Sequence, residues 1–215
     1  MKVKWLGVAC FLITSNQGLK IITDPYEVDP RGSIKHAPVR EFADIVTVSH
    51  EHGDHNNSAA VKGSPKVIRD SAEVKGITFK AVVTSHDNLG GSQRGKNTIF
   101  CFAVDGVNLC HCGDLGHELN AEQVQAIGKV DVLMIPVGGF FTIDAVTAAQ
   151  VCNELKPKVI LPMHYKTGKS QMPINPVDDF LKGKNNVTRS VDSEIEFKAG
   201  KLPAAAQIIV LKPSF

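Results

Sequence analysis

Ser49-His50-Glu51-His52-Gly53-Asp54-His55 places three imidazoles and a carboxylate, at positions 50, 52, 54 and 55, within six residues. Imidazole nitrogen and carboxylate oxygen suit divalent zinc, manganese or iron. A straight strand throws alternate side chains to opposite faces, whereas a loop freed by Gly53 can turn the four toward two neighbouring ions. A polar surface loop that happens to be rich in histidine is the bland alternative. The tight spacing at the end of an apolar run weighs against it. What such ligands support is activation of water by bound metal.

The apolar run is residues 45–48, a compact buried strand that feeds straight into His50. Ahead of it, residues 3–6, 11–14 and 19–23 are short apolar runs broken by Gly7-Val8 and Asn16-Gln17-Gly18, the pattern of an antiparallel meander. Residues 67–68, 77–84, 98–104 and 107–112 continue in strands, with Asp105-Gly106 as the hairpin turn between the last two. Helices are expected at 121–127, capped by Asn120 with Gln123 at the third position, and from Asp144 to about 155. A short helix at 176–181 has proline in its first turn. Buried strands at 132–137 and 159–162 separate the helices, and 195–197 and 207–211 close in β structure. The whole reads as mixed α and β in one domain, 1–215, with no repeat and no linker.

Composition limits the partners. Lys plus Arg is 24 against 22 for Asp plus Glu, a net charge of +2, so no field draws the chain to nucleic acid or an anionic membrane. No apolar run reaches the ~18 residues of a membrane span, and the opening residues lack a small-x-small cleavage site. The five cysteines, odd in number and without regular spacing, fit reduced thiols and a cytoplasmic location. Cys110 and Cys112 share a strand face, where packing is their expected role. The expected partner is a small molecule, an anionic one included, and a homo-oligomer is compatible with this reading.

His-x-His-x-Asp-His after a strand resembles the signature of the metallo-β-lactamase superfamily. The resemblance implies an α/β (α+β) fold, a four-layer αββα sandwich with a binuclear metal site at one sheet edge. It also implies three further ligands: His86 in Thr84-Ser85-His86-Asp87, Asp114 in Cys112-Gly113-Asp114, and His164 in Leu161-Pro162-Met163-His164. Carried over residue by residue, His50, His52 and His86 hold one metal, Asp54, His55 and His164 the other, and Asp114 bridges. Trp5-Leu6-Gly7-x-Ala9-x-Phe11-x-Ile13 and Met163-His164-Tyr165-x-Thr167 are similar to small metal-dependent hydrolases related to the ascorbate-phosphate lactonases. Many of those have His where this chain has Val8.

The implied activity is hydrolysis of a small ester, lactone or phosphoester by a metal-bridging hydroxide, with two divalent ions as cofactors, zinc first and manganese or iron after it. Asp54 has a catalytic role in this reading, orienting that hydroxide or taking its proton. Substrate contacts are expected from Tyr165, which can donate to a developing oxyanion, from His117, and from Arg94. Arg94 and Lys96 lie in the loop 90–97 beside His86, expected to be a mobile, anion-tolerant flap. The loop 24–40 is the other candidate substrate wall. His36 and His111 are read as structural. Two other readings stand beside the hydrolase: a non-catalytic metal scaffold or sensor, and a nuclease or phosphodiesterase of the same fold.

Overall fold

Along the first strand Val3 and Trp5 face one way and Leu6 the other, and all three are buried. Such a strand has to be covered on both sides. The computed structural model describes residues 1–28 and 32–214. Chain order runs β1 (Lys2–Gly7), β2 (Cys10–Thr14), β3 (Lys20–Thr23), β4 (Ile45–Thr47), β5 (Lys66–Ile68), β6 (Ala72–Val74), β7 (Ile77–Ser85), β8 (Lys96–Val104) and β9 (Val107–His111). It continues α1 (Ala121–Ile127), β10 (Val132–Pro136), α2 (Ala145–Leu155), β11 (Val159–Met163), α3 (Val177–Leu181), β12 (Val187–Arg189), β13 (Glu194–Glu196) and β14 (Gln207–Val210).

The strands form two mixed sheets. One has six strands in the order β13-β1-β2-β3-β4-β5, the other eight in the order β12-β14-β11-β10-β9-β8-β7-β6. Their facing sides hold Trp5, Phe11, Phe79 and Phe100 in one apolar core, the arrangement expected of an α/β sandwich. Within the first sheet β3, β4 and β5 run parallel. In the second, β9, β10, β11 and β14 are parallel, and β7 runs the same way as β9 because β8 is antiparallel to both. The carboxyl ends of β3, β4, β7, β9 and β11 all open toward one rim, where every site residue is found.

The helices begin where their caps predict. Asn120 accepts from the Gln123 amide at 2.8 Å and Gln123 Oε1 accepts from the Asn120 amide at 3.1 Å, a complete capping box. Asp144 caps α2 through the Thr147 amide at 2.8 Å. Pro176 stands at the N-cap of α3 rather than inside its first turn. α1 packs on β7, α2 on β10 and α3 on α2, so all three serve the eight-stranded sheet. Among the described residues, the outer face of the six-stranded sheet carries a loop in place of α-helices. Tyr26, Ile34, Val39 and Ala43 cover Leu6, Cys10, Ile22 and Val46 in a second apolar cluster. This is the loop read as a substrate wall, and its residues 29–31 lie outside the described residues.

Candidate metal centre

β3 ends in Asp24, which is fully buried with φ at 40°, a left-handed backbone that aspartate tolerates better than most residues. Its carboxylate is saturated. One oxygen accepts from the Ser49 amide at 2.8 Å; the other accepts from Ser49 Oγ at 2.5 Å and from His55 Nδ1 at 2.8 Å. Ser49 Oγ in turn lies 2.9 Å from His50 Nδ1. Both rings are thereby fixed at Nδ1 with Nε2 turned the other way, the supporting geometry metal-bound histidines use. Burial raises the Asp24 carboxyl, but His111 and His55 outweigh it and hold the group below the usual carboxylate range.

The second sheet brings its residues by three strand ends. β7 delivers His86, whose amide bonds to Gly95 O at 3.0 Å. Past β9, the Asp114 amide is held by Asn97 Oδ1 at 2.9 Å, while Asn97 Nδ2 donates to Cys112 O at 2.9 Å and to Thr84 Oγ1 at 2.8 Å. The fully buried Asn97 thus clamps the Asp114 turn to the end of β7. β11 delivers His164, with φ at 49° and its amide on Val8 O at 3.1 Å. That carbonyl also accepts from Trp5 Nε1 at 3.1 Å. Position 8 therefore serves the site through its backbone, and the Val8 side chain goes into the second apolar cluster.

The residues converge on one carboxylate oxygen. Asp114 Oδ2 lies 3.2 Å from both His55 Nε2 and His86 Nε2, 3.6 Å from His164 Nε2 and 3.9 Å from His50 Nε2. Asp54 Oδ2 is 3.5 Å from His55 Nε2 and 3.8 Å from His164 Nε2. Two groups result, each with its ligand atoms within 4.8 Å of one another: His50, His52 and His86, and Asp54, His55, Asp114 and His164. A third grouping, Asp24 with His50 and His55, is the support behind the rings, because Asp24 meets His55 at Nδ1.

The donor set fits divalent cations. His50 Nε2, His55 Nε2, both His164 nitrogens and Asp114 Oδ1 are buried without any hydrogen-bond partner. An unsatisfied buried polar atom costs about 1–3 kcal/mol, and five in one spot are tolerated only where a ligand completes them. Burial and the charge of His55 push His50 down to about 3, so its ring is neutral with a lone pair to give. Burial lowers His55 and His164 too, but Asp114 and Asp54 overcome it and hold both above the ordinary imidazole value.

Residues 2–164 match the family model described as the beta-lactamase superfamily domain, a span that runs from β1 to the last of these histidines. The chain belongs to the metallo-β-lactamase superfamily. Across the superfamily, similar proteins include a "UPF0173 metal-dependent hydrolase" of Hyperthermus butylicus, 29% identical with 98% of this chain and 96% of that protein covered. Another of that name, from Carboxydothermus hydrogenoformans, is 31% identical over 78% of this chain and 85% of its own. Among solved structures, a Thermotoga maritima protein assigned to the Zn-dependent hydrolases of the metallo-β-lactamase superfamily is 39% identical. It superposes with a TM-score of 0.80 over 98% of this chain and 97% of that one.

A cavity opens over the centre, about 540 Å³ in volume, with His52, Asp54, His86 and Asp114 in its floor. Arg94 is in its wall. Two other expected substrate residues are not. His117 accepts the Ser85 amide at Nε2, 3.0 Å, and donates from Nδ1 to Glu118 O at 2.6 Å, so both nitrogens are consumed by backbone. Tyr165 is buried in the core with its ring 5.2 Å from that of Trp5, because the left-handed turn at His164 sends it away from the cavity. His111 bonds Ala9 O at 2.8 Å and is structural, as read.

The loop after His86 is also corrected. Asp87 accepts four backbone amides, from Leu89, Gly91, Gln93 and Arg94, at 2.8–2.9 Å. Burial raises its carboxyl, but those donors outweigh it and hold it at about 2. The segment is a wrapped turn anchored on one side chain, not a loose flap. Asp24, Asn97 and Asp87 were not singled out by sequence reasoning. The available signal is positional: each is a carboxylate or amide at a strand end, Asp24 and Asn97 facing a site residue from another strand and Asp87 facing its own loop.

Proposed function

We propose that the protein is a binuclear metal-dependent hydrolase of a small ester, lactone or phosphoester. The observation that carries this reading is the pair of ligand groups meeting at Asp114 Oδ2 beneath an open cavity. The names of its relatives support the hydrolase class. Three histidines on one side and two histidines with a carboxylate on the other favour zinc, since nitrogen predominates. Cations held there would lower the pKa of a coordinated water to about 7 and polarise the electrophilic oxygen of the substrate.

The chain's own residues divide the remaining work. Asp114 is sealed, with its side chain 2% exposed, and serves as a fixed ligand, whereas the Asp54 side chain is 26% exposed toward the cavity. Burial raises Asp54, but His55 and His164 outweigh it and keep its carboxyl far below the usual range. It stays ionised and accepts a hydrogen bond from water at the centre, which orients the attack. The cavity volume suits a small molecule, and five free cysteines support the cytoplasmic reading.

Asp54→Asn tests the assignment. With metal content kept equal, kcat should fall at least 100-fold and KM by less than threefold, measured on whichever ester, lactone or phosphodiester the wild type turns over. Equal turnover at full metal occupancy would remove Asp54 from the reaction.

A further inference from the structure

Among the described residues Arg94 has no anionic partner. Its guanidinium carbon sits 4.5 Å from the centroid of the Phe141 ring. Among the described residues no carboxylate lies within 4.0 Å of it or of Lys96. Nearby Arg69 differs: it is neutralised by Glu51 at 2.7 Å and donates to Asn56 Oδ1 at 2.8 Å. The root of Arg94 is fixed, since its amide is one of the four on Asp87, at 2.8 Å. A guanidinium stacked on an aromatic ring and tethered by its backbone loses little freedom when it binds an anion, and its fork matches carboxylate or phosphate.

Position then decides what that cation meets. Arg94 and His52 are the residues that line both the large cavity and a second one of about 350 Å³ on the other side of the histidines. In the smaller cavity Arg69, Arg94 and Lys96 face a single acid, Glu51. The larger one has apolar walls, Val28, Ile34, Phe141 and Met172, and, besides Asp54 and Asp114 of the centre, a further acid, Glu27. An anionic group is therefore favoured on the Arg94–Lys96 side and disfavoured beside Glu27.

We propose that the substrate is an amphiphilic anion. Its carboxylate or phosphate end lies between Arg94 and Lys96 in the smaller cavity, its apolar body occupies the larger one, and its scissile group lies between them beside His52 and Asp54. This rests on the hydrolase reading for the last clause alone.

Calorimetric titration of the metal-loaded protein with inorganic phosphate and with butyrate separates the two. Arg94→Ala should weaken at least one of them tenfold or more, with Arg94→Lys keeping part of the affinity. Loss for phosphate alone marks a phosphate-terminated substrate, and loss for butyrate alone a carboxylate-terminated one. Affinities for both within twofold of wild type, in a variant with unchanged circular dichroism and metal content, overturn the proposal. In turnover, the ratio of kcat/KM for 4-nitrophenyl hydrogen succinate to that for 4-nitrophenyl butyrate should fall at least tenfold in Arg94→Ala. No turnover of these esters or of bis(4-nitrophenyl) phosphate by wild type counts against the hydrolase reading, while the titration still decides the anion site.

Discussion

Asp24 is fully buried, and it fixes two of the three rings that the first sheet brings to the centre, His55 directly and His50 through Ser49. Asp24→Asn keeps the shape of the side chain but replaces an acceptor of His55 Nδ1 with an amide, so metal affinity should drop about 10–100-fold. A chelator-competition titration reads this directly, and unchanged affinity would reduce Asp24 to a packing residue. Protonation gives a second expectation. His55 and His164 are raised above the ordinary imidazole value by Asp114 and Asp54, so in the metal-free centre both hold their protons to higher pH than an ordinary imidazole. Ligation needs them neutral, so metal uptake should release protons and weaken as pH falls. Titrations in buffers of different ionisation heat measure the number released; none would contradict the assignment of these rings as ligands. His50, His52, Asp54 and His55 are legible because they crowd six residues. Asp24 and Asn97 are not, because an acid or amide that supports a ligand from another strand leaves no spacing to read.

Elements of five or more residues with alternating or continuous apolar positions, such as β1, β2 and β8, can be read from the chain, and so can helices with side-chain caps. β6 and β12 escape notice, since three residues hold too little alternation to stand out. The loop between Pro25 and Ala43 escapes for another reason. Its buried residues Tyr26, Ile34 and Val39 follow neither helical nor strand period, so nothing announces that they roof a sheet. The turn after β7 offers the sharpest element-scale test. With Asp87→Ala the amides of residues 89, 91, 93 and 94 lose their acceptor, and hydrogen exchange at them should accelerate by an order of magnitude or more. Exchange unchanged from wild type would show that the turn holds itself without Asp87.

At the scale of the molecule the metal centre is a joint. His50, His52, Asp54 and His55 come from the six-stranded sheet and His86, Asp114 and His164 from the eight-stranded one, so bound cations tie the two layers together. Removing them with a chelator should lower Tm by several degrees, about 2.7 kcal/mol of stability being lost for each metal held at 100 times its dissociation constant. A melting curve indifferent to chelation would mean that the sandwich is complete without the joint. The sandwich itself is legible only through the likeness of the metal motif, because short strands alone do not say how sheets stack. One register carries a further consequence. β1 is paired with β13, Lys2 opposite Glu196, so one edge of β1 stays bare until a strand far later in the sequence is in place. Until then a hydrophobic ribbon is open to other chains, a hazard of high contact order. Lysines at positions 2 and 4 on that edge are the kind of charge that keeps nascent copies from pairing with one another.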